Sequence, residues 1–495
     1  MSPRLKLGRG GWRPPRVALL CALVALANGL VWSLIVPPFQ VPDENAHYAY
    51  TQQVAERGTL PHQVLPEGRL SPAEDTTLFV LGSWEMMGYP HNPAPFSTIQ
   101  QRQIESVESE HLAKTGDGDA LSATNNPPLY YMLAAVPYKI ASGGTVLDRL
   151  TLMRLLSVLM GTVTVLIAYL FMMELLPGQP WAWRVGALVV AFQPLFSFIS
   201  GGVNNDNLLY LAAAGMLWAI ARIFRRGLTP RNGLLLGAFV GFGVVTKLTL
   251  LGMAPAAGLA VALGVVRSSP ENRPRALRGA AWAVGVAAAP ILVYWVLDRL
   301  IWHHGLVPVG VGAVSSAPSA AHHFNTREEI SHVWQLFLFP IGMHHQFDYL
   351  PLWKTWFQGF FGRFGWLDYA FPEWFYWVAL GVVALVIVAA AGELVRKRVA
   401  LRRRLGELAV YVLAVLGLFV EIGVQSYRDY VQTNGGQFEQ ARYLLPLLCL
   451  YGAIAVLAVR FGGRRLGPVL AASLIVLAVG HDVYAQVLTI GRYYT

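Results

Sequence analysis

The stretch VPPFQVPDENAHYAY, residues 36–50, sets Asp43, Glu44 and His47 side by side directly after a long apolar run. A carboxylate in such a place can bind a cation or take the proton from an attacking hydroxyl. The overlapping stretch DENAHYAYTQQVAERG also has the marks of a short helix, with Asp43 as its cap, Glu44 in its first turn and Gly58 after its end. Helical spacing then puts Asp43, His47, Tyr50 and Val54 on one face. Two uses of Asp43 stay open, a helix cap and a chemical carboxylate. One cap needs one acid, so a second acid at Glu44 favours chemistry.

Other polar residues stand at the ends of apolar runs. TNNPPLYY supplies Asn125 and Asn126, for which loop capping is the plain alternative to a ligand contact. GGVNNDNLL places Asn204, Asn205 and Asp206 before a long apolar stretch, with Asp206 able to serve as a helix cap. In VVTKLTL, Lys247 sits among apolar residues. An ammonium there costs roughly 3 kcal/mol on insertion scales unless it snorkels or meets an anion, and a lipid-linked phosphate would be such an anion. GGQFEQARYLLPL offers Gln437, Glu439, Gln440, Arg442 and Tyr443. Arginine suits bidentate phosphate binding, although anchoring the end of a span is the simpler use. In the aromatic belt FFGRFGWLDYAFPEW only Arg363 is a candidate ligand residue. His303–His304, His322–His323 and His344–His345 are doublets. Neighbours on a helix point about 100° apart, so each doublet is a poor clamp for one metal ion.

Such residues need elements to position them, and the composition says which kind. The chain is 55% hydrophobic and 13% charged, with a mean hydropathy of +0.46, which describes a polytopic membrane protein. Its net charge of +10 lies in short clusters between apolar runs, which rejects nucleic acid as a partner and points to the bilayer. Cys21 and Cys449 fall inside apolar segments, so neither a disulfide nor a cysteine metal site is expected.

At ~20 apolar residues per span there are about eleven candidate helices. They lie near 17–36, 149–176, 181–200, 206–224, 232–247, 248–266, 279–300, 374–395, 407–427, 441–459 and 467–489. The segment 127–141 is too short to cross and reads as a helix on the membrane surface. One set of span ends carries 23 Lys and Arg residues and the opposite short ends carry 4. That asymmetry places the amino terminus in the cytoplasm and the carboxyl terminus outside. The basic start followed by an apolar run also resembles a secretory signal, but with no small-residue cleavage site before Pro37 it is expected to stay as an anchor.

Two long segments, 37–148 and roughly 301–373, then face outward. Between 37 and 127 acids outnumber bases by 12 to 4, and Trp84, Tyr89, Phe96, Tyr130 and Tyr131 argue for order in the first segment. Chemistry is expected on this side. Residues 1–495 are expected to form one membrane domain.

PPFQVPDENAHYAY, NNPPLYY, GGVNNDNLL, TKLTLL, GRFGWLDYAFPEW and QARYLLP follow one another in this order from about Pro37 to Pro446. Together they resemble a family of predicted bacterial membrane proteins grouped with the GT-C glycosyltransferase clan. The resemblance implies an all-α, GT-C-like fold in the bacterial plasma membrane. It implies sugar transfer from a polyprenyl-phosphate donor to a cell-envelope glycan or lipid on the extracytoplasmic face. Asp43 and Glu44 would match the clan's acid pair. Asp43 would be general base or the carboxylate of a divalent cation, magnesium or manganese, while Lys247 and Arg442 would face the donor phosphate. His47, Asn126, Asn205, Asp206, Arg363, Gln437 and Tyr443 would line the substrates. Unlike several clan members, the chain has no obvious large soluble domain after its spans. A transporter of lipid-linked glycans is the rival expectation, and a scaffold with an inactive site is a third. Transporters gather ionisable groups near the midplane, whereas these gather at one face.

Overall fold

Apolar runs broken by prolines and basic clusters fold here as long helices, because a backbone in hydrocarbon must satisfy its own hydrogen bonds. The structure, a computed structural model, describes residues 14–61, 70–87, 89, 91–92, 97–115, 123–124, 126–178, 180–302, 325–338, 347, 349–432 and 439–495. Among them, 9 helices are long and apolar enough to cross a bilayer, from Arg16–Ile35 to Gly463–Tyr494. A further span is a bent pair, Pro180–Ala191 with Pro194–Ser200. The span expected near 232–247 is the helix Pro230–Val244, of only 15 residues. From it the chain passes through Thr246 and Lys247 into a short 3-10 helix, Leu248–Gly252, and then the helix Ala254–Val266. The protein is thus an all-α polytopic membrane protein with about eleven spans.

Side chains mend the places where this pattern is interrupted. Pro194 has no N–H to donate, and the chain bends there by 61°. The carbonyl of Ala191 accepts from Asn28 at 3.1 Å, and the same amide reaches Ser197 Oγ at 3.1 Å. Gln486 donates to both Asn28 and Asp482, and Asp482 also accepts from the Trp32 indole. First, last and bent helices are tied in one polar knot.

The short Pro230–Val244 helix keeps its place by close packing. Gly233, Gly237 and Gly241 repeat every four residues along it and lie on the Arg273–Leu297 helix. A Cβ at Gly237 would sit 2.5 Å from the Ala283 carbonyl oxygen, and one at Gly241 2.7 Å from that of Ala287. Absent side chains let the two backbones touch.

Basic residues collect at one end of the bundle. Buried Glu174 gathers Arg222, Arg225 and Arg226, Glu393 gathers Arg396 and Arg460, and Arg404 reaches the Leu175 carbonyl. The helix that ends at Arg226 begins at Asp206. At 1.5 Å per residue its two ends stand about 30 Å apart, which is the thickness of the hydrocarbon core. Asp206 therefore lies at the opposite end.

That opposite end is covered by the helices Glu44–Arg57, Pro72–Val80, Thr98–Ser109 and Leu129–Ile140. The last packs on the first, burying Tyr130, Tyr131, Ala134 and Tyr138. Its other face exposes Met132, Leu133, Val136 and Ile140, as a helix lying on a membrane surface would. Further along, Thr326–Phe337 is helical and Arg363–Phe364 pairs antiparallel with Tyr369–Ala370. The three histidine doublets lie outside the described residues.

Candidate active site

Glu44 and Asp43 are adjacent, yet the fold uses them differently. Glu44 is fully buried and takes a two-pronged contact from Arg154, Nε to Oε1 at 2.8 Å and Nη2 to Oε2 at 2.6 Å. The Val203 N–H also donates to Oε1 at 2.8 Å. Arg154 gives its remaining donors to the carbonyls of Ser33, Val36 and Pro37. With both oxygens engaged, Glu44 fixes the exit of the first span rather than presenting a free acid.

Asp43 does not cap the helix it precedes. Its backbone is left-handed, at φ 63° and ψ 11°, and its side chain accepts nothing from the helix N–H groups. Aspartate tolerates this conformation better than most residues, and a non-glycine residue held there is often part of a site. The carboxylate instead pairs with Arg442. The preceding carbonyl, of Pro42, accepts from Arg442 at 3.4 Å and from Asn204 at 3.2 Å.

Asp206 likewise turns away from capping. Its carboxylate meets Lys247 Nζ at 2.6 Å and lies 3.6 Å from Arg442 Nε. Tyr443 sits between the two cations, its ring centre 5.1 Å from the Lys247 nitrogen and 5.5 Å from the Arg442 guanidinium. Asp43, Asp206, Lys247 and Arg442 therefore balance as two acids and two bases. Both cations expected to face a donor phosphate are held by carboxylates. Buried Asp206 Oδ2, Arg442 Nε and Asn205 Oδ1 make no hydrogen bond among the described residues.

Burial works to raise the Asp43 carboxyl, but the Arg442 guanidinium, with smaller help from His47 and Lys247, holds it below the usual carboxylate range. Burial pushes the His47 imidazole down to about 3, so it stays neutral. His47 Nδ1 and the Tyr131 hydroxyl share a hydrogen bond of 2.9 Å. Tyr131 in turn stacks on Tyr50 with ring centres 3.6 Å apart.

The other expected residues divide. Asn205 is buried beside Asp206, its amide 3.5 Å from the Thr246 carbonyl. Asn126 closes its own loop through Ala123 and offers its carbonyl to Tyr50. Arg363 stands on the hairpin and, with Arg442, lines a cleft of about 260 Å³. Pro42, Lys354 and Glu439 also line this cleft. Gln437 and Asn125 lie outside the described residues. Among the described residues no three His, Cys, Asp or Glu side chains gather into a metal-holding group. The two adjacent carboxylates are each engaged by an arginine, Asp43 by Arg442 and Glu44 by Arg154.

Arg154 and Tyr131 are the structural partners that sequence reasoning missed. Arg154 sits in the run LTLMRLLSVLM, where a lone cation 110 positions from its acid gives only the general signal of a charge in an apolar span.

A family profile described as "Predicted membrane protein (DUF2142)" matches residues 26–451. Among solved structures, the chain is similar to ArnT from Cupriavidus metallidurans in the apo state, at 13% identity over 96% of this chain and 76% of that one, with a TM-score of 0.46. It is similar to the Saccharomyces cerevisiae protein O-mannosyltransferase Pmt1-Pmt2 complex bound to the sugar donor, at 16% identity over 62% of this chain, with a TM-score of 0.39. It spans 36% of that yeast chain. The apo oligosaccharyltransferase of Archaeoglobus fulgidus matches at 12% identity over 96% of this chain and 55% of that one, with a TM-score of 0.41. No curated protein matches the chain.

Proposed function

The chain belongs to the DUF2142 family of predicted membrane proteins, and we propose that this member is a membrane glycosyltransferase. It moves a sugar from a polyprenyl-phosphate donor to a hydroxyl of a cell-envelope glycan or lipid. The observation that carries the reading is the balanced set Asp43, Arg442, Asp206 and Lys247 at the end of the bundle opposite the basic clusters. By the positive-inside rule that end is extracytoplasmic. A lipid phosphate reaching it from the bilayer competes with Asp43 for Arg442 and with Asp206 for Lys247. As Arg442 turns to the phosphate, Asp43 loses the charge that depresses it and becomes a stronger base. The base is thus unmasked when the donor is bound.

In the transfer step the acceptor hydroxyl gives its proton to Asp43 while its oxygen bonds to the anomeric carbon. The bond from that carbon to the phosphate oxygen breaks, and its electron pair leaves with the lipid phosphate. Arg442 and Lys247 stabilise the charge that collects there. Attack opposite the leaving group inverts the anomeric centre. A transporter would hold these charges near the midplane, whereas Asp206 opens its helix and Lys247 precedes the next.

Asp43→Asn tests the reading, because asparagine also accepts the left-handed backbone. The variant should fold and bind undecaprenyl phosphate yet lose ~10²–10⁴-fold in transfer rate, the usual size of a general-base contribution. Lys247→Met should weaken binding of that lipid by ~1.5–3 kcal/mol, as expected for a lost charged hydrogen-bond partner. Wild-type transfer by Asp43→Asn would return Asp43 to a structural role, and unchanged affinity in Lys247→Met would remove Lys247 from the donor site.

A further inference from the structure

We propose that the cleft beside Arg442 is a second anion-binding subsite, in which Lys354 and Arg363 receive a phosphoryl or carboxylate group carried by one of the substrates. The identity of those substrates rests on the transferase reading above; the anion site rests on its own charges.

Several cations around the candidate site are matched by carboxylates. Arg154 has Glu44, Lys247 has Asp206, Arg442 has Asp43, and Arg492 has Asp368 at 2.8 Å. Lys354 and Arg363 differ: among the described residues neither has a carboxylate within ion-pair distance. Of the described acids nearby, Asp368 is ion-paired elsewhere, whereas Glu373 and Glu439 accept from neutral side chains and keep their charge. Asp368 shares the hairpin turn with Arg363 but pairs with Arg492. Glu373 accepts from Gln358 at 2.9 and 3.1 Å. Among the described residues Glu439 is the one acid lining the cleft; its Oε1 accepts from Ser426 and its Oε2 makes no hydrogen bond. Arg363 gives a single hydrogen bond, to the Leu367 carbonyl at 3.2 Å. Lys354 is held over the Tyr349 ring, 5.2 Å from its centre. The Tyr349 hydroxyl is itself fixed by Thr355 at 3.2 Å.

Even with Glu439 counted, the cleft keeps an excess positive charge beyond the Asp43–Arg442 pair. Its volume of about 260 Å³ suits a sugar-sized group rather than a long chain. Pro42 lines it, so a group seated there lies next to Asp43. Gly359 and Gly365 also line it. Guanidinium and ammonium together suit a phosphoryl or carboxylate anion. Two sources fit that chemistry: an anionic acceptor, or the second phosphoryl of a diphosphate-linked donor.

The test uses the full chain in lipid nanodiscs, with glucose 6-phosphate, glucose, undecaprenyl phosphate and undecaprenyl diphosphate as probes. The wild type should bind glucose 6-phosphate and ignore glucose. Lys354→Gln with Arg363→Gln should weaken glucose 6-phosphate at least tenfold while leaving undecaprenyl phosphate unchanged. The charge-keeping pair Lys354→Arg with Arg363→Lys should restore binding, which guards against a folding defect. If the diphosphate lipid binds the wild type more tightly than the monophosphate and the double variant erases that margin, the anion belongs to the donor. Equal binding of the two lipids assigns it to the acceptor. A wild type that does not distinguish the two sugars, or a double variant that binds glucose 6-phosphate normally, overturns the subsite. Lys247→Met should retain glucose 6-phosphate binding, so failure of the donor site and failure of this subsite remain distinguishable.

Discussion

Arg154 donates to both oxygens of Glu44 and to three backbone carbonyls, and all of these partners lie between residues 33 and 44. Replacing Glu44 by Gln would keep the shape and leave a buried guanidinium without its counter-charge. Breaking a buried pair from one side typically costs ~3–5 kcal/mol. Glu44→Gln should therefore lower thermal stability in detergent markedly, while Asp43→Asn, which leaves Arg442 with Asp206 3.6 Å away, should lower it less. Equal melting of the two variants would show that Glu44 does not brace the fold. At this scale the sequence was half legible. Two acids beside a span marked the place, and Asp206, Lys247 and Arg442 were found by their position at span ends. What could not be read was who pairs with whom. Asp43 meets Arg442 across 399 positions, and the left-handed turn that aims it there has no local marker.

The elements show where length alone misleads. A 15-residue helix is short for a crossing, yet Pro230–Val244 is locked to its neighbour by glycines placed every four residues. That stripe stands in NGLLLGAFVGFG and is visible as a period, but counting apolar residues does not weigh it. Gly237→Val would push a branched side chain onto the Ala283 carbonyl. Overpacking of this kind costs ~1–3 kcal/mol. The variant should melt several degrees lower, whereas Gly285→Ala, whose Cβ would meet nothing within 4 Å, should not. If Gly237→Val melts like the wild type, the close contact is not needed. The 181–200 stretch reads as one straight span from hydropathy. Gln193–Pro194 was the overlooked signal, since a proline removes a donor and disfavours helix in the residue before it.

For the molecule as a whole, hydropathy and the distribution of arginine outline the architecture well, because the bilayer imposes length and the cell imposes charge sidedness. Sidedness can be measured. Ser109 and Ala400 are exposed, and the native Cys21 and Cys449 are buried. In intact cells an impermeant thiol reagent should label Ser109→Cys and spare Ala400→Cys; the reverse pattern would put the candidate site on the cytoplasmic side. The long reach from Asp43 to Arg442 also has a meaning in time. At ~5–20 residues per second, a ribosome needs roughly 20–80 s to make the chain between them. Arg154, which braces the neighbouring Glu44, arrives much earlier than the guanidinium that restrains Asp43. The nascent chain thus carries its acid before the arginine that masks it and that would grip a donor.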